Sequence, residues 1–300
     1  MLFRSDWDDD SAVAIAGLGR FRVNVFAQAR GWSSVWRCIP EQIPSLQDLN
    51  TPACLTQWLQ HPNGLLLVTG ATGSGKSTTL AALLAHLNHT QPLHILTLED
   101  PIEFVHPSQR SLVQQRKVPG HSADFATALR AALRQDPDVI LVGEMRDAAT
   151  FETALAAAET GHLVFGTLHS SNAQQAVQRL FEFFDPAEAA NRRRQVASTL
   201  QATITQKLVP AVKGGRVPAV EVFRMDVLGR RVIEQGEFEK IGSVIEAGKE
   251  IGSRSFNSDL FRLIQAGAIT KETGLEYSPN PKALEMNLKG IFLSQGGIVG

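Results

Sequence analysis

Residues 70–80, GATGSGKSTTL, set Gly70, Gly73 and Gly75 between the apolar run Leu65-Leu66-Leu67-Val68 and a stretch that reads as a helix. Gly70, Gly75, Lys76 and Ser77 fit G-x-x-x-x-G-K-[ST], the spacing of a phosphate-binding loop. Glycine at these positions lets the backbone bend sharply and turn its N–H groups inward, as a nest for phosphate oxygens. The helix expected from Lys76 to about Leu87 points its positive dipole end at the same place. Lys76 is placed to reach the β- and γ-phosphates of ATP, and the Ser77 hydroxyl to take one position on Mg²⁺. The expected nucleotide-binding set is Gly70, Ala71, Thr72, Gly73, Ser74, Gly75, Lys76, Ser77 and Thr78. The bland alternative is a Gly-rich turn that matches by chance, which the strand before it and the helix after it disfavour.

The rest of the chain is ordinary in bulk. Its 300 residues suggest about two domains. Net charge is −1, so nothing points to bulk electrostatic binding of nucleic acid or acidic lipid. No apolar run approaches a membrane span, and the acidic start MLFRSDWDDD lacks the apolar core of a signal peptide. A cytoplasmic protein is expected. Cys38 and Cys54 are the two cysteines and no CxxC occurs, which argues against a disulfide framework or structural zinc.

Trp7, Trp32, Trp36 and Trp58 are all the tryptophans, and all precede the loop. That break divides the chain into 1–60, a small N-terminal unit, and 61–300, with a linker near His61-Pro62-Asn63-Gly64. Phe21, Val23 and Val25 alternate with Arg20, Arg22 and Asn24, as in a half-buried strand. Its apolar face is expected to pack on its own unit and its cations to point outward. Val35, Arg37 and Ile39 suggest a second strand. The unit is small for an independent core and is expected to lean on a neighbour.

From Leu65 the pattern alternates. Strands are expected at 65–69, 94–98, 138–142 and 163–167, and helices at 76–88, 123–134, 148–160 and 172–184, with Ser122 capping the second helix. Alternation of this kind gives an α/β fold, a doubly wound sheet with helices on both faces. The strands are short continuous apolar runs, as when both faces are buried. After Thr203 a hairpin (204–209 and 217–223) should close the nucleotide-binding core at 65–225, leaving helices over 226–300.

Three segments carry acids or histidines at strand ends. DVILVGEMRD (138–147) delivers Glu144 beside the phosphate loop, where an acid can hold the water shell of Mg²⁺ or polarise the attacking water. LTLEDPIEF (96–104) ends in Glu99, Asp100 and Glu103, which repel one another unless a cation is near. One of them is a candidate general base, and a solvated acidic turn is the alternative. GHLVFGTLHS (161–170) sets His162 and His169 at the two ends of a strand. His169 falls on the edge where open α/β sheets bind ligands, while His162 suits a local hydrogen bond. Arg20, Arg22 and Arg37 are candidate sources of charge from outside the loop domain. NRRRQ (191–195) reads as a solvated helix face or subunit contact.

These segments, in this order, resemble the secretion ATPase superfamily, and within it the type IV pilus retraction (twitching motility) motors. The likeness runs from GLGRFRVNVF (17–26) to LEMNLKGIFL (284–293). It implies a RecA-like P-loop ATPase domain with a small N-terminal α+β domain, here expected to lack its first strands and helix. It implies Walker A, Asp box, Walker B and His box motifs in turn. Glu103 then matches the catalytic glutamate, Glu144 the Walker B acid, His162 and His169 the His box, and Arg22 and Arg37 the arginines that reach the nucleotide. Implied partners are further copies in a hexameric ring, a pilus platform protein at the cytoplasmic face of the inner membrane, and a related retraction ATPase. RVIEQGEFEKI (231–241) is closer to the accessory retraction type, so an accessory nucleotide-binding ring subunit is the alternative to a motor, beside another secretion-type ATPase. The tetracysteine zinc insertion of the pilus-assembly branch is missing.

Overall fold

The computed structural model describes residues 8–49, 51, 52 and 54–291; Trp7 and the last residues of the 284–293 segment lie outside them. Strands β1 (Asp8–Ile15), β2 (Gly19–Gln28) and β3 (Gly31–Ile39) form an antiparallel sheet with β2 in the centre. The alternation on β2 sorts side chains as expected: Phe21, Val23 and Val25 share a face, and Arg20, Arg22 and Asn24 the other. The arginine face meets the rest of the protein through hydrogen bonds to residues 102 and 103. On the apolar face Val23 is buried, while Trp32 and Trp36 remain 60% and 50% exposed. Trp36 still packs edge-on to Phe21, with ring centroids 5.8 Å apart.

A seven-stranded sheet holds the remainder. Its strands are β4 (Gly64–Thr69), β5 (His94–Glu99), β6 (Leu112–Lys117), β7 (Val139–Val142), β8 (Leu163–Leu168), β9 (Leu200–Pro210) and β10 (Arg216–Arg224). Their order is β10-β9-β4-β8-β7-β5-β6, parallel throughout except for the β9–β10 hairpin. Alternate residues of the apolar runs go to opposite faces. Leu65, Leu67, Leu96, Leu98, Ile140 and Val142 pack under α3 (Phe125–Ala132), α4 (Ala148–Glu159), α5 (Ala173–Phe181) and α6 (Ala189–Thr199). Leu66, Val68, Ile95, Val139 and Leu141 pack under α1 (Cys54–Trp58) and α2 (Lys76–Thr90). Burying each such leucine or isoleucine contributes about 1.5–3 kcal/mol.

Three details differ from the sequence expectations. Strand β6 had no apolar run to announce it: LVQQRK is an edge strand with one neighbour. Asp124, not Ser122, caps α3, because its carboxylate accepts the Thr127 N–H at 2.7 Å. Leu55, Trp58 and Leu59 join the α2 cluster, so packing places 54–59 with the large sheet, ahead of the expected break after residue 60.

Beyond β10, α7 (Val227–Gln235) and α8 (Ile241–Ala247) join the α3–α6 layer. Helices α9 (Phe256–Gln265), α10 (Lys271–Tyr277) and α11 (Pro281–Leu288) form a separate cluster against Val209 and Ala219. Asp259 joins that cluster to the sheet. Fully buried, it accepts the Val220 N–H at 2.9 Å and guanidinium N–H groups of Arg254 and Arg262, each at 2.8 Å. Removing one member of such an arrangement leaves the others without their charge partner. Asp259→Ala is expected to lower unfolding free energy by about 3 kcal/mol in urea titrations; an unchanged midpoint would show the carboxylate to be dispensable.

Candidate functional site

Parallel strands bring their following loops to one edge, and the phosphate loop lies there after β4. Gly70, Gly73 and Gly75 all adopt positive φ, of 147°, 77° and 90°. A Cβ on Gly75 would stand 2.7 Å from Gln206 Nε2, and one on Gly70 would strike Ser74 Oγ and the Gln206 carbonyl. Gln206 carries no motif that singles it out. Buried on β9, it donates to the Ser74 carbonyl at 2.8 Å and accepts from Thr79 Oγ1 at 2.8 Å, bracing the loop from below. The available signal was a glutamine in the strand ATITQKLV, where a buried amide must find partners.

The donor set fits a polyphosphate. Helices α3, α4, α5, α7 and α9 each start with a side-chain cap; α2 starts at Gly75 without one. Lys76 Nζ lies 2.9 Å from the Gly70 carbonyl and 3.1 Å from that of Ala71, with no carboxylate within ion-pair reach among the described residues. Burial lowers its pKa, opposed by the charges of Glu144 and Glu103. Ser77 is exposed at the helix start and Thr78 half-buried beside it, while the Ser74 hydroxyl is buried without a partner among the described residues. Among those residues no three His, Cys, Asp or Glu side chains form a cation cage. A Mg²⁺ arriving with phosphates does not require one.

Two acids share this edge. Glu144 follows β7 by two residues, and Gly143 lets the chains approach, since a Cβ there would be 2.9 Å from the Leu98 carbonyl. Glu144 accepts from Arg146 Nη2 at 2.5 Å and lies 3.3 Å from His169 Nε2. Burial works against its ionisation, but Arg146, His169 and Lys76 together outweigh it and its pKa is lowered. Within the acidic cluster the members separate. Glu99 turns into the sheet, accepting from Thr97 Oγ1 at 2.6 Å and Gln115 Nε2 at 3.1 Å, and burial raises its pKa. Asp100 is exposed to solvent on one side, and the desolvation of its other side raises its pKa against the pull of Lys117. Glu103 stays at the edge, with Arg22 Nη1 3.5 Å from its carboxylate.

The arginines divide likewise. Arg22 holds Asp10, with Nη2 2.6 Å from its carboxylate, and reaches Glu103 more loosely. Arg20 donates to the Glu103 and Ile102 carbonyls. Arg37 faces Arg22 across the β2–β3 pair, is exposed, and its guanidinium makes no hydrogen bond or ion pair among the described residues. His169 is gathered with Glu144, but His162 is not. It precedes β8, at the far end of the sheet from the loop, with Nδ1 3.0 Å from the Ala157 carbonyl. Asp10 and Arg146 had escaped sequence reading, because a short-range partner on a hairpin or loop leaves no spacing rule. Arg192 of the NRRRQ run pairs with Glu152 and Glu188 and stacks on Phe184, a structural use.

A glycine loop between a parallel strand and an uncapped helix, faced by acids from nearby strand ends, defines a P-loop nucleotide-binding domain of RecA-like fold. The sequence model described as Type II/IV secretion system protein matches residues 17–236, and the chain belongs to that family. It is 43% identical to the type IV pilus retraction ATPase PilT of Pseudomonas aeruginosa, over 93% of this chain and 81% of that one. It is 36% identical to the type IV pilus ATPase PilU of the same organism, over 96% and 75%. A crystal structure of the pilus retraction motor PilT with bound ADP superposes with a TM-score of 0.85 at 42% identity, covering 93% of this chain and 80% of that one.

Gln206→Leu keeps size while removing both hydrogen bonds beneath the loop. A fluorescent nucleotide should bind about tenfold more weakly, a loss of roughly 1.4 kcal/mol. Equal affinity in the variant would show that the loop holds its shape unaided.

Proposed function

We propose that this chain is an ATP-hydrolysing motor subunit that powers type IV pilus retraction. It works as a hexameric ring with a pilus platform protein at the cytoplasmic face of the inner membrane, and alongside a related retraction ATPase. The observation that carries the reading is the convergence of Lys76, Glu144 and Glu103 at one sheet edge in a chain of this family. The retraction role is supported by the 43% identity to PilT, against 36% to PilU, which favours a motor over an accessory subunit. No helix of the described residues is long and apolar enough to cross a membrane.

Each residue has a task in this reading. Gly70 to Thr78 wrap the phosphates of ATP, and Lys76 neutralises charge on the β- and γ-phosphates. Bound Mg²⁺ supplies charge neutralisation on the phosphate oxygens; Ser77 would ligate it and Glu144 would hold its water shell. Glu103 takes the proton of the attacking water. His169 orients Glu144 through the 3.3 Å contact. Arg22 and Arg37 lend charge from outside the loop domain, where an arginine fork stays charged and grips phosphate oxygens. His162, at the opposite end of β8 from the phosphate loop, takes no part in this reading.

Lys76→Ala should abolish ATP turnover, and Glu103→Gln should bind ATP while turning over about a hundredfold more slowly. Normal hydrolysis by Lys76→Ala would defeat the motor reading. The pH dependence supplies a separate check. Glu144 is held ionised to lower pH by Arg146, so Arg146→Ala leaves only His169 and Lys76 to oppose burial and raises its pKa. Activity that needs the ionised carboxylate is then lost earlier as pH falls, and the acid limb of kcat against pH should move upward. A limb that stays in place would assign it to another group.

A further inference from the structure

The segment between β5 and β6 carries Glu103 on a loop, and its backbone is pinned from two sides. From the sheet side, Gln115 Nε2 donates to the Phe104 carbonyl at 2.8 Å, and its Oε1 accepts the His106 N–H at 2.8 Å. From the other side, Arg20 Nη1 donates to the Glu103 carbonyl at 2.7 Å and Nη2 to the Ile102 carbonyl at 3.1 Å. No backbone N–H among the described residues reaches either carbonyl, so the guanidinium supplies the partners these half-buried acceptors need. Two donors in a fixed planar fork can grip two successive carbonyls, which a lysine ammonium cannot do in the same geometry. The clamp has a firm base. Arg20 sits on the central strand of the small sheet, paired to Ala14 on one side and to Ile39 on the other.

We propose that Arg20 is a positioning residue for Glu103. It touches the loop backbone rather than the nucleotide, and fixes where the Glu103 carboxylate stands. Arg22, two residues on, shares the face but spends its fork on Asp10, so the two arginines have separate duties. The inference rests on Glu103 acting as the base in ATP hydrolysis, and a displacement of about 1 Å in such a group can cost a hundredfold in rate.

The test compares wild type, Arg20→Ala, Arg20→Lys, Glu103→Gln and the double variant Arg20→Ala/Glu103→Gln. Turnover and the Kd for a non-hydrolysable ATP analogue are measured on each, with amide hydrogen exchange over 101–106 and 70–80. Arg20→Ala should lower kcat by about thirty- to a hundredfold with the Kd within about twofold of wild type. Arg20→Lys should recover part of the loss. In the Glu103→Gln background the Arg20 change should add less than about twofold, because its effect passes through Glu103. Exchange should quicken over 101–106 and stay as in wild type over 70–80. Multiplicative losses in the double variant, a matching loss of analogue affinity, or unchanged exchange over 101–106 would each overturn the proposal. The exchange measurement does not depend on hydrolysis, so it decides the clamp even if the ATPase reading fails. Full activity of Lys76→Ala would point to that second failure.

Discussion

Parallel pairing of β4 with β8 and β9, and of β5 with β7, is the constraint on which the site depends. Strands that run the same way release their following loops at the same edge. Residues 70–77, 99–106, 143–147 and 169–172 are therefore neighbours in space though scattered along the chain. Both faces of these strands are covered, which lets continuous apolar runs persist and holds the edge rigid. Gln206 extends the same logic: it reaches the phosphate loop because β9 lies beside β4 in register, Ile204 against Val68 and Thr205 against Thr69.

Charge at that edge is arranged in shared pairs rather than isolated groups. Glu144 is flanked by Arg146, His169 and Lys76, and Glu103 faces Arg22, which itself holds Asp10. Glu144 is thereby held ionised in a partly buried place where a lone charge would be costly. Lys76 is the exception. Its ammonium rests on carbonyl oxygens alone, so its positive charge is only partly answered within the loop.

Much of this was legible in the sequence because the relevant signals are local. The loop spacing, the apolar strands and the acids just past them need only a few residues of context. Glu144 and His169 could be placed by counting beyond a strand, and they do meet. What escaped needs three-dimensional knowledge. Strand β6 has no apolar run, since an edge strand needs little burial. Gln206, Asp10 and Arg146 act through partners that no spacing rule predicts. The acidic cluster read as one patch, yet Glu99 turns inward to Thr97 and Gln115 while Glu103 stays outward, a difference set by the sheet's alternation and the loop's path.

The placement of the indole rings gives the protein a built-in optical reporter. No tryptophan follows Trp58. Trp32 and Trp36 lie on the open face of the small sheet, and Trp58 is buried in the cluster beneath α2. None of these three stands in the phosphate loop or on the strand ends around it. Any contribution they make to a change in intrinsic emission on adding nucleotide must therefore come from the small sheet or the underside of α2. Light from these rings reports how a disturbance at the phosphate edge spreads outward, and a collisional quencher would separate the solvent-facing pair from the enclosed one.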